Sequence, residues 1–326
     1  MDGILSLAAA NLGSPIILSF VLGLSAALAR SDLSVPEAAA KTLSLYLLFS
    51  IGFKGGASVA AHGLDVRLGA AVLAGVVLSF GLPFVAFGLL RVMTTLSRID
   101  AAAVAAHYGS ISIVTFVAAT SVVAGRGLEA EGYMVAVAAA MEAPAILSAL
   151  WIASRGGERT DAEPDLWREI LLNGSIVLLI GSFAIGTITG EDGLARIESF
   201  IVAPFQGVLC LFLLDMGLVA GRGLRDQRAA LRPGAVAFGV AMPLIGGTLG
   251  LGFALLIGLS QGGAALLATL AASASYIAVP AAMRVALPEA NPSVYLTLSL
   301  GVTFPFNLTV GIPIYVAAAT TLVGAS

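Results

Sequence analysis

His107, Tyr108, Gly109, Ser110, Ser112 and Thr115 crowd together in the run AAHYGSISIVTF, whose remaining residues are Ala, Ile, Val and Phe. A second run, LAASASYIAVPAA, carries Ser273, Ser275 and Pro280. Serine hydroxyls both donate and accept, so they suit a ligand that itself holds a hydroxyl and an oxyanion. Gly tolerates unusual backbone angles and Pro lacks an N–H, so each run is a place where a helix can break. A break frees backbone N–H groups, and two helix N-termini facing one another offer donors and partial positive charge without any Lys or Arg. Phosphate or sulfate would recruit a cationic clamp, and neither run contains a Lys or Arg. A small monoanion therefore fits Gly109, Ser110, Ser112, Ser273 and Ser275 best, set against the plainer role of small residues in close helix packing.

A cation is suggested by a different pair. Glu142 in MEAPA and Asn307 in FPFN each lie beside a proline in an apolar stretch. Ionisable groups inside a membrane are costly and mark functional sites. Carboxylate, amide and broken-helix carbonyl oxygens are the donors a hard cation such as Na⁺ uses. Glu142 and Asn307, with Thr115 and Thr303, are the expected sodium ligands; a kinked helix with an interhelical hydrogen bond is the alternative. Asp100 is read as a helix N-cap, with sodium binding as its second role. His107 is expected to make a packing hydrogen bond rather than relay protons. Lys54 and Asp215 are expected to snorkel to the interfaces.

These residues need elements to hold them. The 326-residue chain is 59% hydrophobic and 11% charged, with mean hydropathy +1.01, far from the roughly 25% charged residues of a soluble domain. Apolar runs of about 20 residues, the length a helix needs to cross a bilayer, recur throughout, and the short alternating segments of a β-barrel do not. The fold class is an all-α integral membrane protein. Ten spans are predicted near 14–29, 38–57, 67–91, 100–124, 131–154, 169–189, 197–220, 232–258, 263–286 and 293–323. With the N-terminus outside, twelve of the sixteen Lys and Arg fall in cytoplasmic loops, the bias expected of inner-membrane proteins. Both termini are then outside the cytoplasm and no cleaved signal peptide is read at the start.

The halves resemble each other. A constant shift of 163 carries Phe20 to Phe183, Gly23 to Gly186, Phe49 to Phe212, Ser110 to Ser273 and Ser112 to Ser275. Five spans per half make the second copy inverted, so residues 1–154 and 169–326 form a 5+5 inverted repeat joined by a cytoplasmic linker at 155–168. The fourth and ninth helices are expected to be discontinuous near the midplane: the second serine run falls in the ninth of the ten spans. No cofactor, no nucleic acid and no metal beyond sodium is implied; Cys210 is read as core packing.

The stretches IGFKGG (51–56), AHYGSISIVTFVAAT (106–120) and EGYM to MEAPA (131–145) resemble the sodium-dependent bicarbonate transporter family of the SbtA type. Ile111 and Ile113 stand where that family's pattern has smaller residues. The resemblance implies core and gate domains, elevator-like alternating access, a homotrimer, symport of bicarbonate with sodium, and a trimeric PII-like regulatory protein as cytoplasmic partner. Through the motif it places Gly109, Ser110 and Ser112, with Tyr108 beside them, at the anion, and through the repeat Ser273 and Ser275. Alternatives are a carrier of another small monoanion or coupling to H⁺ through His107. An intramembrane serine hydrolase needs a base or paired aspartates positioned at one site; the midplane offers Glu142 and His107 but no aspartate pair and no nucleophile elbow, so the chain is not expected to be an enzyme.

Overall fold

The computed structural model describes residues 13–62, 67–154, 174–226, 232–276, 279–280, 282–283 and 287–324. They are helical, with no strand among the described residues. This is a multi-pass membrane protein: among the described residues eight helical spans, two of them interrupted at 110–112 and 141–143, are long and apolar enough to cross a bilayer, and two shorter apolar helices stand beside them. The expected linker at 155–168 and both termini lie outside the described residues.

In chain order α1 is Pro15–Leu28, α2 Glu37–His62, α3 Arg67–Met93, α4 Arg98–Gly109, α5 Ile113–Gly125, α6 Met134–Ala140 and α7 Pro144–Ser154. The second half holds α8 Gly174–Ile201, α9 Phe205–Asp226, α10 Pro233–Ile257 and α11 Gln261–Ala272. It ends on α12, Pro292–Val323, which contains two π-helical stretches, Thr297–Thr303 and Asn307–Gly311. Pro305, between them, cannot bond the Gly301 carbonyl in α-helical register, which favours the wider turn.

Three expectations need correction. The fifth span is not continuous: it is interrupted between Ala140 and Pro144, because Pro144 withholds an N–H from the preceding turn. The sixth does not simply end at 189. Gly190 breaks α8 with φ 60 and ψ −152, a conformation glycine alone adopts readily, and a charged stretch with Glu191, Asp192, Arg196 and Glu198 continues to Ile201. The Tyr46 hydroxyl ties that stretch down by donating to the Phe200 carbonyl at 2.5 Å. The seventh span accordingly starts at Phe205 instead of 197.

α1 packs along α9, and α2 along α8, at backbone contact. A Cβ on Gly23 would collide with the Leu214 carbonyl and one on Gly217 with that of Phe20; Gly186 faces the Phe53 carbonyl and Gly56 that of Phe183 in the same way. These contacts exchange under a shift of 163 from α1 to α8 but 161 from α2 to α9. Phe212 therefore corresponds to Ile51 and not to Phe49, and Lys54 corresponds to Asp215.

α4 and α11 match without adjustment. Each is 12 residues long, starts on a serine N-cap (Ser97, Ser260) and ends on a serine in extended conformation, Ser110 at φ −85, ψ 155 and Ser273 at φ −84, ψ 163. Their alanine-rich sequences favour helix and let both helices be buried along most of their length. The approach of α4 to α3 depends on one glycine. Pro83, inside α3, frees the Ser79 carbonyl, its partner four residues back, and Gly109 lies against both, with no room for a Cβ. Gly109→Ala is expected to destabilise by about 1–3 kcal/mol through overpacking, lowering the thermal midpoint of the detergent-purified protein.

Candidate functional site

The two serine runs meet. The Ser112 N–H donates to Ser273 Oγ at 2.9 Å, and the Ser275 N–H donates to the His107 carbonyl at 2.8 Å. His107 Nδ1 returns to the Ser275 carbonyl at 2.6 Å; a carbonyl only accepts, so this nitrogen carries the proton. The histidine therefore clasps one residue of the opposite break twice, with its ring stacked on Tyr295 at 4.6 Å. This is the hydrogen-bonded role the sequence suggested for it.

Within the crossing the hydroxyls divide. Ser112 caps α5, accepting from Thr115 N at 3.2 Å and Thr115 Oγ1 at 2.9 Å. Ser273 is engaged in both directions, donating to the Leu270 carbonyl at 2.8 Å while accepting from Ser112. Among the described residues Ser275 Oγ has only the distant Val279 N–H, at 3.5 Å. Ser110 Oγ, in a residue 1% exposed, has no hydrogen-bond partner among them. The Ile113 and Val114 N–H groups open α5 and have no intrahelical acceptor. A buried hydroxyl without a partner costs free energy unless a ligand satisfies it, so Ser110 and the start of α5 present donors to a small acceptor. The continuation past the second break, residues 277–278, lies outside the described residues, and with it the expected second helix N-terminus.

A family model described as the Na⁺-dependent bicarbonate transporter superfamily matches residues 15–320, from the first residue of α1 into the last turns of α12 and across both breaks. The chain belongs to this superfamily. It is a transporter family and not an enzyme family. No curated protein matches the chain.

In this transporter the remaining predicted residues are placed as follows. Tyr108 is tied to Thr303: the Thr303 hydroxyl donates to the Gly239 carbonyl at 2.7 Å, so the Tyr108 hydroxyl, 2.7 Å from Thr303 Oγ1, is the donor. One residue expected at the anion and one expected at sodium thus bond each other. Asn307 Nδ2 donates to the Ala272 carbonyl at 2.8 Å, capping the end of α11, and its Oδ1 accepts from the Tyr315 hydroxyl at 3.1 Å. Glu142, 3% exposed, sits in the interruption between α6 and α7, and its Oε2 has no hydrogen-bond partner. Its neighbour Met141 accepts from Ser79 Oγ at 2.6 Å, which anchors the interruption to α3. No hydrogen bond links Glu142 to Thr115, Thr303 or Asn307 among the described residues.

Asp100 is not gathered with these. Ser97, not Asp100, is the N-cap of α4: its Oγ accepts from the Asp100 N–H at 3.0 Å, and the Asp100 carboxylate accepts from Ser97 Oγ at 2.7 Å and from the Asn291 N–H at 2.8 Å. Ten residues of helix, about 15 Å at 1.5 Å per residue, separate it from Ser110.

Two features escaped the sequence reading. The π-helical stretches of α12 carry Thr303 and Asn307; their signal was the pair of prolines, Pro305 and Pro313. Tyr276 was passed over although it directly follows the second serine run. Its buried hydroxyl approaches Ser112 without closing a hydrogen bond of good geometry.

Proposed function

We propose that the transporter carries bicarbonate into the cell together with Na⁺. The observation that carries this reading is the joining of two broken helices, Ser112 to Ser273 and His107 to Ser275, around the unpartnered Ser110 hydroxyl. Bicarbonate supplies what that arrangement lacks, an oxyanion to accept and a hydroxyl to donate. Sodium follows from charge: one Na⁺ neutralises one HCO₃⁻, lowering the cost of moving either through low dielectric. The Glu142 carboxylate, whose Oε2 has no hydrogen-bond partner among the described residues, is the group to which the cation is assigned.

The shared caps and length of α4 and α11, and the exchanged glycine contacts of α1, α2, α8 and α9, support a 5+5 inverted repeat. On this reading α1, α2, α8 and α9 are the gate and the helices carrying the breaks are the core, which moves against it in an elevator-like cycle. Both termini lie outside the plasma membrane's cytoplasmic face, and the working unit is a homotrimer with a cytoplasmic surface open to a PII-like regulator.

Proteoliposomes holding the purified protein are expected to accumulate radiolabelled bicarbonate when Na⁺ is supplied and to stop when choline replaces it at fixed pH. Excess unlabelled bicarbonate should compete better than formate, acetate or nitrate. Equal uptake in choline removes sodium coupling, and stronger competition by a carboxylate reassigns the anion.

A further inference from the structure

A cleft of about 480 Å³ lies between α9 and α12, lined by Met216, Ala220, Thr297 and Leu300 among others. Exposed Arg222 and buried Tyr276 both stand on its lining. Tyr276 belongs to two environments at once. It lines the cleft, and its ring meets Phe304 edge-on at 5.3 Å, while Phe304 in turn meets Phe20 of α1 edge-on at 5.4 Å. Its hydroxyl is buried against Ser112 with no hydrogen-bond partner among the described residues.

A buried tyrosine hydroxyl normally finds a partner. Here the hydroxyl lies against Ser112, in the break that also holds the unsatisfied Ser110 hydroxyl and the start of α5. We propose that the Tyr276 hydroxyl is a direct contact for the transported anion, and that its ring is the floor separating the serine crossing from the cleft between α9 and α12, through which the anion reaches solvent. This deepens the reading of the crossing as an anion site and rests on it. The row Tyr276, Phe304, Phe20 spans a break, α12 and α1, so a shift of the α1 and α9 pair past α12 moves the ring stack and opens or shuts the floor. The cationic Arg222 favours an anion in the cleft without holding it, since its guanidinium also donates to the Leu33 carbonyl at 3.1 Å.

Two measurements test the proposal. Tyr276→Phe keeps the ring and its contact with Phe304 and removes only the hydroxyl. The KM for bicarbonate at saturating Na⁺ is expected to rise about tenfold with Vmax little changed, as befits one lost hydrogen bond to a charged ligand, and discrimination against formate, which lacks a hydroxyl, should fall. A KM within twofold of wild type overturns the contact. The second readout needs no transport. In a Cys210→Ala chain carrying Ser110→Cys, a small thiol reagent supplied from the cleft side is expected to react slowly, and Tyr276→Ala should speed the reaction at least tenfold; an unchanged rate overturns the floor. Failure of wild-type protein to carry bicarbonate would count against the function itself, while the thiol measurement still decides the role of Tyr276.

Discussion

Ser110→Ala is expected to raise the KM for bicarbonate at least tenfold while leaving the melting temperature of the purified transporter where it was. The separation follows from bonding in the crossing. Ser110 Oγ makes no hydrogen bond in the protein, so deleting it removes nothing from the fold, whereas a hydrogen bond to a charged ligand contributes about 1.5–3 kcal/mol, and each 1.4 kcal/mol or so is a factor of ten in affinity. Ser273→Ala should behave differently. It strips the acceptor from the Ser112 N–H, leaving a buried donor unsatisfied at a cost of about 1–3 kcal/mol, so stability and transport fall together. The double variant should lose uptake. Wild-type KM in Ser110→Ala would remove this serine from the anion site.

Glu142→Gln is the second substitution with a large expected effect. A buried carboxylate oxygen with no donor near it is costly unless a cation compensates, and Oε2 of Glu142 is in that position. Glutamine keeps the size and one acceptor and removes the charge. The Na⁺ concentration for half-maximal uptake should rise at least tenfold, with bicarbonate KM changed only through the coupling between the ions. Superimposable Na⁺ titrations of wild type and variant would mean that Glu142 does not hold the cation.

The sequence made the spans and the two breaks legible for a physical reason. Hydropathy reports the bilayer directly, and a serine with a glycine in an alanine-rich helix is a local event whose consequence, an extended residue, stays within a few positions. Ser110 and Ser273 were found that way. The interruption before Pro144 is equally local, yet the fifth span was drawn without a break, because a proline alone does not separate a kink from an interruption. Pairings across the fold were another matter. Tyr108 and Thr303 are 195 residues apart, and no local pattern says that their hydroxyls would satisfy each other. Asp100 was read first as the cap of α4 and only second as a cation ligand; the cap is the serine three residues earlier, whose hydroxyl the Asp100 carboxylate in turn accepts from. The two-residue difference between α1 to α8 and α2 to α9 lay in the connecting loops, where an ungapped comparison of biased apolar sequences has little to resist it. Lys54 and Asp215 consequently went unnoticed as counterparts.

The bonds that close the crossing run between residues 161 and 168 positions apart. A growing chain therefore inserts and packs its first half with Ser110, Ser112 and the His107 ring still lacking their counterparts. Contacts of such sequence separation form late, after their loop entropy has been overcome. The crossing is thus incomplete in any chain that ends before Ser275, and its two sides meet only once the second half of the chain is in place.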